Sequence, residues 1–584
     1  MRALIIHNGN LPSGIVSLSN QNGWEFFEYK VSQASVSEED YDTFLSRQVK
    51  ELTSPSSGDA PFEPDLVVMP YSLSEINPAE LTGIRLAAHF RLDDGDSCLK
   101  RAPVLFLGPL SLEDALRLSP LANFLITPRV FMSELCSADA LVDWIGNNTD
   151  SIHPLSEKEY SSFVNGFVVD APSNFNDARH SITNRWTLLR WEEMFEWGDN
   201  PPQLASSVRD FANNLYFKWI QAKLGPRAHF KKKHKTPAQI SNISGKIVFI
   251  DDEIKLGWGD IMGRLIGNSK AEYLAYEDFD NSYSREELLD RIQKYIDSVP
   301  DASCYVLDLR LHEEDHSNPD HTAYTGHRVA QHIYAKNRGA QIVFFTASEK
   351  TLNYVASEKY FSGYVIKENP SHLYDRDGSK KVFFDFAHAL QKACANSYLR
   401  DYNGLCKDTP YLDDFFEILR QDDDQDTRSH EINMRSAALN LIVFIETAVR
   451  AHFSIDGNSL KKGSETVADI YDACLELKQS TTPKTPIHFG SYPDLMPAGE
   501  SDTKWGRIFQ KVTDIGLICA ALHGYCGVGR EHIDKVIKLK NIRNSSLAHG
   551  GGGLESDTKI EVPFLRTVFD NVVKKMISKG ILTQ

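Results

Sequence analysis

Nowhere in the 584 residues is there an uninterrupted apolar run of about 18 residues, the length a membrane-spanning helix needs. The longest apolar stretches, around Leu439–Ile445 and Ile515–Leu522, are short and read as buried helix. The opening MRALIIHNGN carries a single Arg and too brief an apolar segment for a secretory signal. No C-x-x-C pair joins any of the 8 cysteines, Cys98, Cys136, Cys304, Cys394, Cys406, Cys474, Cys519 and Cys526. Scattered in this way they argue against a zinc site or a disulfide framework, and for a reducing, cytoplasmic setting. A G-x-x-x-x-G-K-[ST] loop is missing, which disfavours ATP-driven activity, and Gly527-Val528-Gly529 is too short to replace it. No helix-turn-helix with a basic recognition helix stands at the C-terminal end, which weakens a transcription-factor reading. Positive charge is also short: 63 Lys and Arg face 80 Asp and Glu, a net charge of -17. Attraction of the whole molecule to nucleic acid or anionic membrane is thereby disfavoured, and RNA contact would need a local basic patch.

What is present is an ordinary globular composition, 41% hydrophobic and 24% charged, in a chain long enough for roughly three or four domains. Residues 1–150 alternate short apolar runs (Ala3–Ile6, Leu66–Met69, Val104–Leu107, Phe124–Ile126) with helical stretches, the rhythm of an α/β layer with a mostly parallel sheet. Residues 151–240 read as a helical linker region, ending in the basic run Lys231–Lys235, a solvated linker or an aid to RNA binding. Residues 241–398 restart the α/β rhythm, with buried strands expected at Lys246–Ile250, Cys304–Leu307, Gln341–Phe345 and Tyr364–Ile366. Residues 401–584 show helical periodicity, for example at Leu441, Ile442, Ile445, Ala448 and Val449, and read as all-α. The acidic run Asp422–Asp424 reads as a solvated helix end or loop. The expected fold is thus two flavodoxin-like, doubly wound parallel-sheet domains and a C-terminal helical bundle.

An internal repeat supports this division. Thr82-Gly-Ile-Arg-Leu-Ala-Ala-His89 recurs as Thr325-Gly-His-Arg-Val-Ala-Gln-His332, each copy lying between two strands, VVMPYSL and PVLFLG in one case, YVLDLRL and QIVFFT in the other. The first region is expected to be a second copy of the fold of the third.

In the third region the strand ends carry Asp251-Asp252-Glu253, then Asp308, then Thr346-Ala347, and Lys367 follows the last strand. At the carboxyl ends of a parallel sheet these side chains would share one crevice. Three carboxylates there are hard oxygen ligands suited to Mg²⁺, with the Asp308 carboxylate as nucleophile toward phosphorus. The pattern resembles the receiver domain of two-component response regulators over nearly the whole of this region. The resemblance implies phosphorylation of Asp308 by a partner histidine kinase, Mg²⁺ held by Asp251, Asp252, Asp308 and the backbone carbonyl of Arg310, and phosphoryl contacts from Thr346, Ala347 and Lys367. It also places Tyr364 at the family's aromatic switch position. The stretch His312–His321 after Asp308 is an insertion that covers the site, touches a kinase or is only a loop; metal binding by His312, His316 and His321 has no support from spacing. The first region lacks the same residues. Its first strand ends in His7-Asn8, Pro70 stands in place of Asp308, Gly108 in place of Thr346 and Thr127 near the place of Lys367. It reads as a pseudo-receiver.

In the helical region, KLKNIRNSSLAHGGGG (residues 538–553) places Arg543, Asn544 and His549 ahead of a glycine run. This resembles the Arg-x4–6-His motif of the HEPN superfamily, many of whose members are metal-independent ribonucleases acting as dimers. The resemblance implies an RNA substrate, no cofactor at that site and a homodimer. A histidine near neutral pH can move the ribose proton and an arginine can stabilise growing phosphoryl charge. Lys535, Lys538 and Lys540 add positive charge upstream, or form an ordinary solvated surface. In one ideal helix, six residues turn by about 600°, leaving Arg543 and His549 about 120° apart. They converge if the helix breaks near Ser545–Ser546 or if two subunits share the site; otherwise Arg543 is a surface charge and His549 a cap.

Two functions follow as expectations. One is a response regulator whose phosphorylation controls a C-terminal ribonuclease, with bacterial stress or antiviral defence as the setting implied by the resemblance. The other is a non-enzymatic phosphate acceptor or adaptor whose bundle only oligomerises.

Overall fold

The computed structural model describes the chain except for residues 10, 19, 21, 32–40, 54–62, 75–77, 94–96, 135–136, 171–178, 224–235, 268–269, 349–360, 369–377, 409–411, 421–427, 454–469, 471–513, 548–559 and 583–584. The basic run Lys231–Lys235 lies outside the described residues. Two compact units are formed, one of Met1–Gln239, Asp252–Leu265 and Ile366–Phe384, the other of Ile240–Asp251, Ile266–Val365 and Asp385–Gln584.

The first sheet contains β1 (Arg2–His7), β2 (Glu25–Lys30), β3 (Leu66–Pro70), β4 (Val104–Leu107) and β5 (Val130–Ser133), all parallel, in the order β2-β1-β3-β4-β5. Its helices are α1 (Ser13–Val16), α2 (Tyr41–Thr53), α3 (Thr82–Arg91), α4 (Leu112–Leu118) and α5 (Ala138–Asn148). Central β3 is buried at every residue, as a strand covered on both faces must be. Helices α6 (Glu157–Gly166), α7 (Arg179–Met194), α8 (Ser206–Ala212) and α9 (Leu215–Lys223) follow, with a minimal pair of two-residue strands, β6 (Phe195–Glu196) and β7 (Thr236–Pro237). The second sheet contains β8 (Gly245–Ile250), β9 (Ala271–Tyr276), β10 (Ala302–Leu307), β11 (Ile342–Thr346) and β12 (Gly363–Ile366), in the order β12-β11-β10-β8-β9. Read from its own first strand, that is the strand order of the first sheet. Its helices are α10 (Trp258–Ile266), α11 (Arg285–Ser298), α12 (Glu314–Ser317), α13 (Thr325–Lys336) and α14 (Gly378–Asn396).

Two strands, β2 and β9, escape the apolar-run pattern for one reason. Each is the edge of its sheet, and only a buried strand has to be apolar at every position. In β2, EFFEYK, no residue is fully buried. The apolar triplet Phe124–Ile126 is not the expected strand. It lies in a 3₁₀ helix, Pro120–Ile126, where the helical twist sends Phe124 inward and leaves Ile126 exposed. Phe124 meets Phe106, Phe163 and Phe167 edge to face. The fifth strand is β5, and Thr127 precedes it; the residue that follows β5, as Lys367 follows β12, is Glu134.

The C-terminal region is helical, as expected. It contains α15 (Asn403–Asp408), α16 (Leu412–Arg420), α17 (Arg428–Phe453), α18 (Asp514–Ala520), α19 (Arg530–Leu547), α20 (Val562–Val568) and α21 (Lys574–Ser578). Leu412, Phe415, Phe416 and Leu419 recur at one-face spacing on α16 and join Leu441, Ile445 and Val449 of α17 in a single core. Met434–Phe453 is, among the described residues, the one helix of a length and mean hydropathy, 1.2, sufficient to cross a membrane. Half of it is buried and its apolar side chains build this bundle core, the position of a core helix.

Candidate functional site

Asp251 directly follows β8 and Asp308 directly follows β10, two neighbouring parallel strands, so both carboxylates stand at the same end of the sheet. With Asp252 they bring one oxygen each to within 4.8 Å of one another. Asp251 and Asp308 are buried, and Asp252 is partly exposed. Like charges so close are unfavourable unless something positive joins them. Carboxylate oxygens at this separation are a hard donor set of the kind that takes Mg²⁺, so the residues present fit that ion.

Thr346 ends β11, the next strand along, and its hydroxyl donates to Asp308 Oδ1 at 2.8 Å in a buried setting. The Arg310 backbone N–H donates to the same oxygen at 3.2 Å. Ala347 is buried next to Thr346, and the Tyr364 hydroxyl donates to the Ser348 carbonyl at 2.7 Å, tying the aromatic side chain of β12 to the loop after Thr346. Lys367 follows β12; its side chain is fully buried, and its ammonium donates to the Asn184 side-chain oxygen and lies 5.0 Å from the Trp258 ring centre. Asn184 was not among the sequence candidates. A single Asn inside a helical stretch gives no local signal.

The insertion after Asp308 is held by its own acid. Asp315 is buried and accepts from the backbone N–H groups of Leu311, His312 and Thr325 and from the Thr325 hydroxyl. Burial raises its carboxyl above the usual carboxylate range, against the pull of those donors. His312 Nε2 lies 3.0 Å from the Tyr283 carbonyl. Among the described residues only Asp251, Asp252 and Asp308 form a group of three or more His, Cys, Asp or Glu side chains close enough together to hold a metal ion.

The two α/β domains superpose by register. Gly83 opens α3 so close to β3 that a Cβ there would lie 2.1 Å from the Pro70 carbonyl; at Gly326 it would lie 2.0 Å from the Asp308 carbonyl. Their N–H groups donate to the Tyr71 and Leu309 carbonyls, at 2.9 and 3.0 Å. Pro70 therefore occupies the place of Asp308. Met69 pairs with Phe106 as Leu307 pairs with Phe344, which puts Gly108 in the place of Thr346. Ile5 pairs with Val68 as Phe249 pairs with Val306, so His7 and Asn8 take the places of Asp251 and Asp252. Gly108 has φ +147°, and a Cβ there would meet the Tyr71 ring at 3.0 Å, so a Thr would be strained and would need that ring to give way. His7 Nε2 is 2.9 Å from Glu28 Oε1, and the Asn8 amide donates to the Leu73 carbonyl at 2.6 Å.

On the C-terminal motif, Arg543 and Asn544 belong to α19, whose backbone runs unbroken through Ser545–Ser546 to Leu547. His549 lies outside the described residues.

Residues 13–133 match the family model of the inactive receiver domain, that is, β2 to β5 of the domain without the acids. Neither the curated proteins nor the solved structures give a match to the chain. Residues 13–133 are thus similar to an inactive receiver domain, within a fold of two five-stranded parallel α/β sheets and a helical C-terminal region.

Proposed function

We propose that the chain is a response regulator in which the second α/β domain receives a phosphoryl group on Asp308 from a partner histidine kinase, while the first serves as its inactive counterpart. The observation that carries this reading is the meeting of three carboxylates with the Thr346 hydroxyl at Asp308. An Asp308 oxygen attacks the donor's phosphorus, the donor's P–N or P–O bond breaks, and an acyl phosphate forms on Asp308. Asp251, Asp252 and Asp308, with the Arg310 carbonyl, would hold Mg²⁺, which supplies charge neutralisation for the phosphoryl oxygens. Thr346 and the Ala347 N–H would donate to the phosphoryl group, and Lys367 would pair with it.

Intact-mass analysis after incubation with acetyl phosphate and Mg²⁺ tests this. One added phosphoryl group is expected, lost in Asp308→Asn; no addition, or addition that survives that substitution, refutes it.

For output we propose the HEPN-like reading, a homodimeric RNA-cleaving bundle using Arg543, Asn544 and His549, in a stress or antiviral setting. Cleavage of RNA by the phosphorylated protein, abolished in His549→Ala, is the expected result. The second reading, a bundle that only oligomerises in a phosphate-accepting adaptor, is favoured by one observation. Helix α19 continues through Ser545–Ser546, where a break would have turned the pair toward each other within one chain. Absence of cleavage in every phosphorylation state would select that reading.

A further inference from the structure

Helix α7 belongs by sequence to the segment between the two α/β domains, yet it is fastened to the residues that follow β12. Asn184 and Lys367 are both wholly buried and hydrogen-bonded to each other. One turn on, the Thr187 hydroxyl lies 3.3 Å from the Glu368 carbonyl. One more turn along, Trp191 packs edge to face on Trp258, at 5.5 Å, and on Phe383, at 5.8 Å. Arg190 Nε donates to the Ser379 hydroxyl at 3.2 Å, and that hydroxyl donates to Glu368 Oε2 at 2.5 Å. Positions 184, 187 and 191 share one helix face, so α7 presents a continuous polar-to-aromatic strip to Lys367, Glu368 and Trp258.

One of the three ammonium N–H donors of Lys367 is committed to a neutral amide oxygen. A phosphoryl group is a far stronger acceptor, bringing close to two negative charges and three oxygens. If Lys367 serves the phosphoryl group, as the proposed function holds, the Asn184 oxygen competes with it for the same ammonium. We infer that Asn184 is a latch: it holds Lys367, and α7 with it, in the unphosphorylated protein, and phosphorylation of Asp308 draws the ammonium away and loosens α7. The linker helix is then the receiver's output element. Asn184 is a positioning residue, acting on the phosphoryl group only through Lys367.

Hydrogen exchange of peptides from residues 179–194, in the full chain with Mg²⁺ and with or without beryllofluoride, reads the latch directly. In the unsubstituted chain beryllofluoride should speed exchange there by roughly tenfold, the weight of one charged hydrogen bond. Asn184→Ala should exchange fast without beryllofluoride and respond little to it. Asn184→Asp, which sets an anion beside the ammonium, should stay slow in both conditions; should the alanine variant fail to fold, this variant carries the comparison. The inference rests on Asp308 as acceptor, so intact mass after acetyl phosphate is measured on the same samples. Phosphoryl uptake with unchanged exchange over 179–194 overturns the latch alone. Absence of uptake overturns the acceptor reading and the latch together.

Discussion

At four positions on three strand ends the first α/β sheet carries His7, Asn8, Pro70 and Gly108, where the second carries Asp251, Asp252, Asp308 and Thr346, although both sheets share one strand order. The scaffold residues around those ends are kept. Gly83 and Gly326 make the same close approach to the preceding strand, and Arg85 and His89 recur as Arg328 and His332. Keeping the glycine is enforced by sterics, since any side chain there would strike backbone. The acids carry no such packing duty, and the fold survives their replacement. The residue types at the strand ends and the architecture are therefore separable in this chain, residue by residue.

The repeated Arg and His have also been put to different use. In the first domain Arg85 makes a two-pronged bond to Asp42, at 2.5 and 2.7 Å, and His89 Nε2 lies 3.0 Å from the same carboxylate. Asp42 further accepts from the Leu215 N–H of α9 at 3.0 Å, so the cluster joins α2, α3 and α9 around a buried acid. Burial by itself would raise the Asp42 carboxyl; the bonds from Arg85 and His89 outweigh that and hold it well below the usual carboxylate range. In the second domain Arg328 pairs with exposed Glu286 and His332 lies 3.0 Å from the exposed Asp297. One motif supports a buried node in one copy and a solvated rim in the other.

The largest expected contrast is chemical. Pro70→Asp should leave the first domain unable to take a phosphoryl group from acetyl phosphate, because His7, Asn8 and Gly108 still stand in the places of Asp251, Asp252 and Thr346. Mapping phosphoryl groups by peptide mass in Pro70→Asp/Asp308→Asn should find none; a group on residue 70 would break the comparison. Next in size, Arg85→Ala leaves Asp42 buried with too little positive charge, and should destabilise the first domain by about 3–5 kcal/mol in urea unfolding. A loss below about 1 kcal/mol there would mean the node is not buried in solution.

Acid should then separate the domains. Burial lowers His89 from its ordinary 6.5 to about 4, with nearby Lys218 and Arg85 adding to the effect and Asp42 opposing it. The unfolded chain thus takes up a proton that the folded one refuses, so stability is full above the unfolded value and falls as pH drops from about 6.5 toward 4. Between pH 7 and 5 this contribution should lose about 2 kcal/mol, and His89→Gln should flatten the slope in a urea titration. Smallest of all, Arg328→Ala should change stability by about 0–1 kcal/mol, since its pair with Glu286 is solvated and screened. A cost matching that of Arg85→Ala would erase the distinction between node and rim.

Much of this was legible in order along the chain. The buried strands of both sheets, the repeat, the four substituted residues at three strand ends and the helical C-terminal region all follow from apolar runs and residue spacing. What was not legible has identifiable physical causes. The edge strands β2 and β9 are partly exposed and so leave no apolar signature. Phe124–Ile126 is apolar enough for a strand, but its neighbours Pro120 and Ser119, which caps the 3₁₀ helix, turn it away from extended backbone. That misplacement carried Thr127 into the position that Glu134 occupies.

Local sequence alone determined which residue types stand at each strand end, because strand and turn propensities act over a few residues and the parallel order then gathers those ends. Only tertiary structure decided which partners those side chains meet. Asn184 on Lys367, Thr346 on Asp308 and Leu215 on Asp42 join residues far apart in the chain. Such bonds depend on helices and strands packing in three dimensions, and no spacing rule along the chain encodes them.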